Sequence, residues 1–215
     1  MIQPNISYLV MMDMDSTLIE NEVIDDLASA HGVGEQVKEI TEAAMRGELD
    51  FAESLKKRVA LLAGADESVI SKVQKNIRIT PGAQELISKF RGLNFKTCVV
   101  SGGFDVIVAK IVEDLGIDDF AANRLEIIDG RLTGKLLGEV IDAAGKRATL
   151  LEMAQKYGIL LKHTIAIGDG ANDLPMIDEA EIGIAFNAKP ALKEKANLIV
   201  DSENLQDVLK ALKIN

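Results

Sequence analysis

Five short, near-continuous apolar runs constrain this 215-residue chain more than any other feature. They occupy residues 8–12, 97–100, 164–167, 182–186 and 198–200. None alternates with polar residues, so each needs cover on both faces, the condition of a strand inside a parallel sheet. Segments with apolar residues at helical spacing separate most of the runs, over residues 83–91, 105–115, 146–157, 172–179, 190–196 and 203–212. The alternation predicts an α/β fold built on a doubly wound, Rossmann-like parallel sheet.

Between residues 20 and 76 the alternation stops. Apolar residues there recur only at helical spacing, as at Val23, Leu27 and Ala30 or at Leu55, Val59 and Leu62, and Gly32, Gly47 and Gly64 fall where such patterns end. The expectation is an inserted helical-bundle cap of about four helices over residues 20–76, with residues 1–19 and 77–215 forming the α/β core. A second, small insertion is expected as a β-hairpin, because Asp129-Gly130 separates β-compatible residues 124–128 from 131–133.

Charge and cysteine content exclude several partners. With 24 basic and 34 acidic residues the net charge is −10, and no basic run breaks that balance, so nucleic acid and anionic membrane are poor partners. The single Cys98 cannot form an intrachain disulfide and lies in an apolar run, which fits a buried thiol in a reducing compartment. The first apolar run lacks the basic flank of a signal peptide, and no segment nears the roughly 20 apolar residues needed to span a bilayer. A cytoplasmic location is expected.

Chemistry-bearing residues sit where the apolar runs stop. Residues 13–17, Asp-Met-Asp-Ser-Thr, follow the first run, and the carboxyl ends of strands are where open α/β sheets bind ligands. Two carboxylates so close need a proton or a cation between them, and oxygen donors suit a hard ion such as Mg²⁺. Alone, this pattern also reads as a polar turn capping a helix. A second acidic tip, Gly168-Asp169-Gly170-Ala171-Asn172-Asp173, ends the 164–167 run and favours the metal reading. Ser101-Gly102-Gly103, after the 97–100 run, is either a plain turn or a phosphate-binding turn that uses the Ser101 hydroxyl, backbone amides and the start of the next helix. Lys146 opens another helical pattern, where a lysine is ordinarily solvated.

In order, these four elements resemble the motifs of the haloacid dehalogenase-like phosphohydrolase superfamily. Asn21-Glu22, Phe51, Leu55 to Arg58, Ser101 to Asp105, Ala121 to Leu125 and Gly138-Glu139-Val140 extend the likeness to its phosphoserine-hydrolysing branch, over nearly the whole chain. The resemblance implies Asp13 as nucleophile, Asp15 as general acid and base, and Mg²⁺ held by Asp13, the Asp15 carbonyl and Asp169 with Asp173 in support. It implies Ser101, Gly102 and Lys146 around the phosphoryl group, with Asn172 ordering the site. Glu22 and Arg58 would take the amino and carboxylate groups of O-phosphoserine, and Phe51 and Met45 would close over it. Without the resemblance, Glu22 and Arg58 read as surface charges and Met45 as packing. The same motifs would serve a phosphotransferase passing the group to another hydroxyl such as homoserine, or a phosphatase for other small phosphomonoesters. A non-catalytic Mg²⁺/phosphate-binding module would lack motif residues, and none is missing. Some bacterial members carry an N-terminal regulatory domain, which the short stretch before Asp13 is not expected to hold. His31, His163, Met11, Met12, Met14 and Cys98 read as packing or local bonding.

Overall fold

A computed structural model describes residues 2, 3 and 5–214, and the side chain of Met45 lies outside the described residues. The apolar runs form strands of a seven-stranded sheet in the order β4-β3-β2-β1-β5-β6-β7. These are β1 (Leu9–Met12), β2 (Lys96–Phe104), β3 (Asp119–Ile128), β4 (Arg131–Leu137), β5 (Thr164–Gly168), β6 (Ile182–Phe186) and β7 (Leu198–Val200). All neighbouring pairs are parallel except β3 with β4. Alternate side chains of a strand point to opposite faces, and both faces are covered. Val10, Met12, Val99 and Ile167 enter one apolar cluster, while Leu9, Met11, Cys98 and Val100 enter the other. That double burial is why the runs carry no polar alternation.

Helices α1 (Val23–His31), α2 (Gly34–Met45), α3 (Phe51–Ala60) and α4 (Ser68–Asn76) fill the interval after β1. The chain leaves and returns through adjacent extended segments, where Ile19 bridges Ile79 and the amide of Glu20 donates to the Arg78 carbonyl at 2.9 Å. The α3–α4 connection is tied to the β3–β4 hairpin, with Gly64 N–H on the Leu132 carbonyl at 2.8 Å and Leu132 N–H on that of Ala65 at 2.9 Å. Helices α5 (Ala83–Gly92), α6 (Asp105–Leu115), α7 (Ala143–Tyr157), α8 (Leu174–Glu179) and α9 (Pro190–Lys193) lead into the remaining strands, and α10 (Asp207–Ala211) follows β7. Among the described residues no helix is long and apolar enough to cross a membrane.

Three expectations need refinement. The hairpin is continuous with the sheet: β3 pairs with β2 through Asp119–Asn123 and then with β4 beyond Arg124, and its turn has positive φ at both Asp129 and Gly130, as a two-residue hairpin turn requires. Ser101-Gly102-Gly103 is not a turn after β2 but an irregular stretch within it, where the register to β3 shifts between Ser101 and Phe104. The last helix starts late, because the Ser202 hydroxyl and the Asn204 side chain accept from the amides of Asn204 and Gln206 and hold that segment as turns.

Candidate active site

Strand register brings the site together. Met12 pairs with Val99 on one side and Ile167 on the other, so the carboxyl ends of β1, β2 and β5 lie side by side. Asp13 follows β1 and remains anchored to the sheet, its amide donating to the Ile167 carbonyl at 2.9 Å. Beyond it, residues Met14–Leu18 form a wide turn closed by Ile19 N–H on the Met14 carbonyl at 3.0 Å, with Asp15 and Ser16 departing from helical dihedrals. Asp169 and Asp173 come from the loop after β5. Carboxylate oxygens of Asp13, Asp169 and Asp173 lie within 4.8 Å of one another.

Lys146, from the first turns of α7, lies beneath these acids with 1% of its side chain exposed. Its ammonium contacts Asp13 Oδ1 and Asp173 Oδ1, both at 2.7 Å. A lysine at a helix start is ordinarily solvated, but here two buried carboxylates hold it down. Burial alone would lower its pKa, but Asp13 and Asp173 raise it above the ordinary lysine value, so it stays charged. The second oxygen of Asp173 accepts from the amides of Asp169 and Gly170, each at 3.1 Å. Both Asp173 oxygens are thereby engaged, which suits it to fixing the loop and the lysine.

The acids themselves are pushed toward their neutral forms. Burial, then Asp173, push Asp13 well above the usual carboxylate range against the pull of Lys146. Burial and Glu22 raise Asp15 to about 8, and burial, Asp173 and Glu22 raise Asp169 to about 6. An acidic cluster so placed favours protons or a cation, and its all-oxygen donor set fits a hard divalent ion.

A cavity of about 660 Å³ opens over the cluster, lined by Asp13, Asp15, Asp169 and Asn172 below and by Glu22, Phe51 and Arg58 from the helical insertion. Gly102 lies so close to the Phe51 ring that a Cβ there would meet Cζ at 2.8 Å. Arg58 is half-buried, and burial lowers its pKa while Asp25 and Glu22 oppose the shift. Of the expected residues, Ser101, Lys146 and Asp173 sit behind the wall, fully buried. The Ser101 hydroxyl accepts from Gly103 N–H at 2.8 Å. Met45 lies outside the described side chains. Cys98 is buried and its thiol is pushed up to about 12 by that burial, as expected of a packing residue.

Sequence reasoning assigned no role to two contributors, although Asn123 lies in the 121–125 segment that carried the resemblance. Asn123 donates to the Gly102 carbonyl at 2.9 Å and accepts from Ile141 N–H at 2.8 Å, bracing the glycine stretch against the approach to α7. Lys189 lines the cavity and its amide donates to the Asp169 carbonyl at 2.8 Å. Periodicity gave neither a role, since each acts on a segment distant in sequence.

A family model of the haloacid dehalogenase-like hydrolases matches residues 10–178. A curated relative, the phosphoserine phosphatase of Streptomyces coelicolor, is 52% identical over 96% of this chain, and the chain spans only 50% of that protein's length. Two solved structures match almost end to end. One, a phospho-aspartyl intermediate analogue of a phosphoserine phosphatase, has 45% identity and a TM-score of 0.90 over 97% of this chain and 99% of that one. The other, a substrate-bound phosphoserine phosphatase complex, has 44% identity and a TM-score of 0.91 over 98% of this chain and 100% of that one. The chain belongs to the haloacid dehalogenase-like hydrolases, and within them to the branch of the phosphoserine phosphatases.

Proposed function

We propose that the protein hydrolyses O-phospho-L-serine to L-serine and inorganic phosphate through an aspartyl-phosphate, as part of serine biosynthesis. The observation that carries the reading is the convergence of Asp13, Asp15, Asp169 and Lys146 at adjoining strand ends beneath a cavity that also receives Glu22 and Arg58. The names of the matched structures, an aspartyl-phosphate analogue and a substrate complex, support it.

Asp13 Oδ1 is held by the Met14 amide and by Lys146, each at 2.7 Å. Oδ2 is then the atom that attacks phosphorus, forming the Asp13–phosphate bond as the bond to the serine oxygen breaks. Asp15, raised to about 8, carries a proton at neutral pH and gives it to the departing alkoxide. It next takes a proton from a water that attacks the same phosphorus, and Asp13 leaves as carboxylate with orthophosphate as product. Lys146, Ser101 and the Gly102 backbone serve the spreading negative charge of the phosphoryl oxygens, and Asn172 orders the loop.

Asp13, Asp169 and the Asp15 carbonyl would hold Mg²⁺, with Asp173 supporting. The ion would supply the Lewis-acid charge that lets a carboxylate approach a phosphate dianion. Arg58 takes the substrate carboxylate through its planar fork, and Glu22 takes the ammonium. Residues 20–76 act as a cap over the 1–19 and 77–215 core, with Phe51 closing the apolar side of the pocket.

A steady-state screen of phosphomonoesters, with and without Mg²⁺, tests the reading. Phosphoserine is expected to be the preferred substrate, with activity lost on chelation and labelled phosphate recovered as free orthophosphate. Label recovered on an added homoserine would instead mark a phosphotransferase.

A further inference from the structure

Ser16 follows Asp15, the proton-transfer residue, within the wide turn of residues 14–18, and nothing in the mechanism above uses it. Its backbone is left-handed, with φ 55° and ψ 7°, a conformation that non-glycine residues seldom adopt. Were the bend its only purpose, glycine would serve with less strain. Its hydroxyl instead reaches out of the turn and donates to Glu22 Oε1 at 2.7 Å. Glu22 is exposed at the start of α1 and lines the cavity, and among the described residues no other side chain bonds to it. The neighbouring Asp15 carboxylate accepts from Val23 N–H at 3.2 Å, so the turn grips the start of α1 at two successive residues.

From this geometry we propose that Ser16 is a positioning residue for amine recognition: it fixes one oxygen of Glu22 and leaves Oε2 directed to a substrate ammonium. The inference rests on the phosphoserine reading. An unrestrained glutamate on a helix start samples several rotamers, and each must be given up on binding. A carboxylate already held at one oxygen binds the ammonium with that loss removed beforehand. Ser16 thus acts through Glu22 and touches no reacting atom.

The test compares O-phosphoserine with 3-phosphooxypropanoate, which keeps the carboxylate and phosphate but lacks the amine. Ser16→Ala removes the hydroxyl. Ser16→Gly removes it while accepting the positive φ without strain, which separates the side chain's role from the backbone's. Both variants are expected to raise KM for phosphoserine about fivefold with kcat changed less than about twofold, the scale of one lost hydrogen bond. KM for the amine-free ester should stay at the wild-type value, and in a Glu22→Gln background the Ser16 substitutions should have no further effect. Equal KM shifts on both esters, or a Ser16→Gly enzyme matching wild type on phosphoserine, would overturn the proposal while the phosphatase reading stands. Wild-type protein that ignores phosphoserine overturns both.

Discussion

Replacing Lys146 with Met would leave two carboxylates facing each other in the floor of the pocket with no cation between them. Asp13 is 3% exposed and Asp173 fully buried, and each now lies 2.7 Å from the ammonium. Removing one partner of a buried ion pair typically costs about 3–5 kcal/mol, because the remaining charge stays buried without compensation. Proton uptake by Asp13, already raised by burial, limits the loss, so about 3 kcal/mol is expected. For a chain of this size that lowers Tm by about 6–12 °C. Metal-free protein should show this difference in thermal and urea unfolding at neutral pH. The difference should shrink on acidification, since protonated carboxylates no longer need the lysine, and also in saturating Mg²⁺. A loss below about 1 kcal/mol, or one indifferent to both pH and metal, would show that Lys146 does not hold the acidic floor together.

Gly102→Ala places a Cβ 2.8 Å from Phe51 Cζ, so the ring must withdraw; KM for phosphoserine should rise while unfolding stability changes little, and unchanged KM would deny that Phe51 closes the pocket. Arg58→Ala should raise KM on the order of tenfold or more for phosphoserine but far less for an aryl phosphate, and equal effects would remove the carboxylate-binding role. Metal-free stability should fall as pH rises. Asp169 and Asp15 titrate near about 6 and about 8 when folded against about 4 when unfolded, so the folded state binds more protons across that window. Mg²⁺ binding to the ionised acids should raise Tm by an amount that grows over the same range, and a metal-free Tm that climbs from about pH 5 to 8 would contradict the raised values.

How much the sequence disclosed depends on how local each signal was. Doubly buried strands announce themselves by unbroken apolar runs, and the acids at residues 13, 15, 169 and 173 stand where those runs stop, so the sheet and its acidic edge were legible. The four helices before residue 76 were legible from helical spacing alone. Position in the pocket was not. Spacing alone could not tell Lys146 from a solvated lysine; only the motif resemblance marked it, and α7 carries it under Asp13 and Asp173. The Asn123 contacts with Gly102 and Ile141 span 21 and 18 residues and leave no periodic trace. The irregular β2 stretch was read as a turn because its glycines resemble punctuation, whereas pairing with β3 keeps it in the sheet. Ser16 was given no role from sequence, since a left-handed backbone at a serine has no signature there.

The central claim is that Asp13 attacks phosphorus, and it is tested most directly by acid-quenching protein during phosphoserine turnover and mapping phosphorylated peptides by mass spectrometry. Phosphate is predicted on the peptide containing Asp13, absent from an Asp13→Asn variant that remains folded and has lost turnover. Phosphate on another residue, or Asp13→Asn protein that still releases phosphate, would contradict the account.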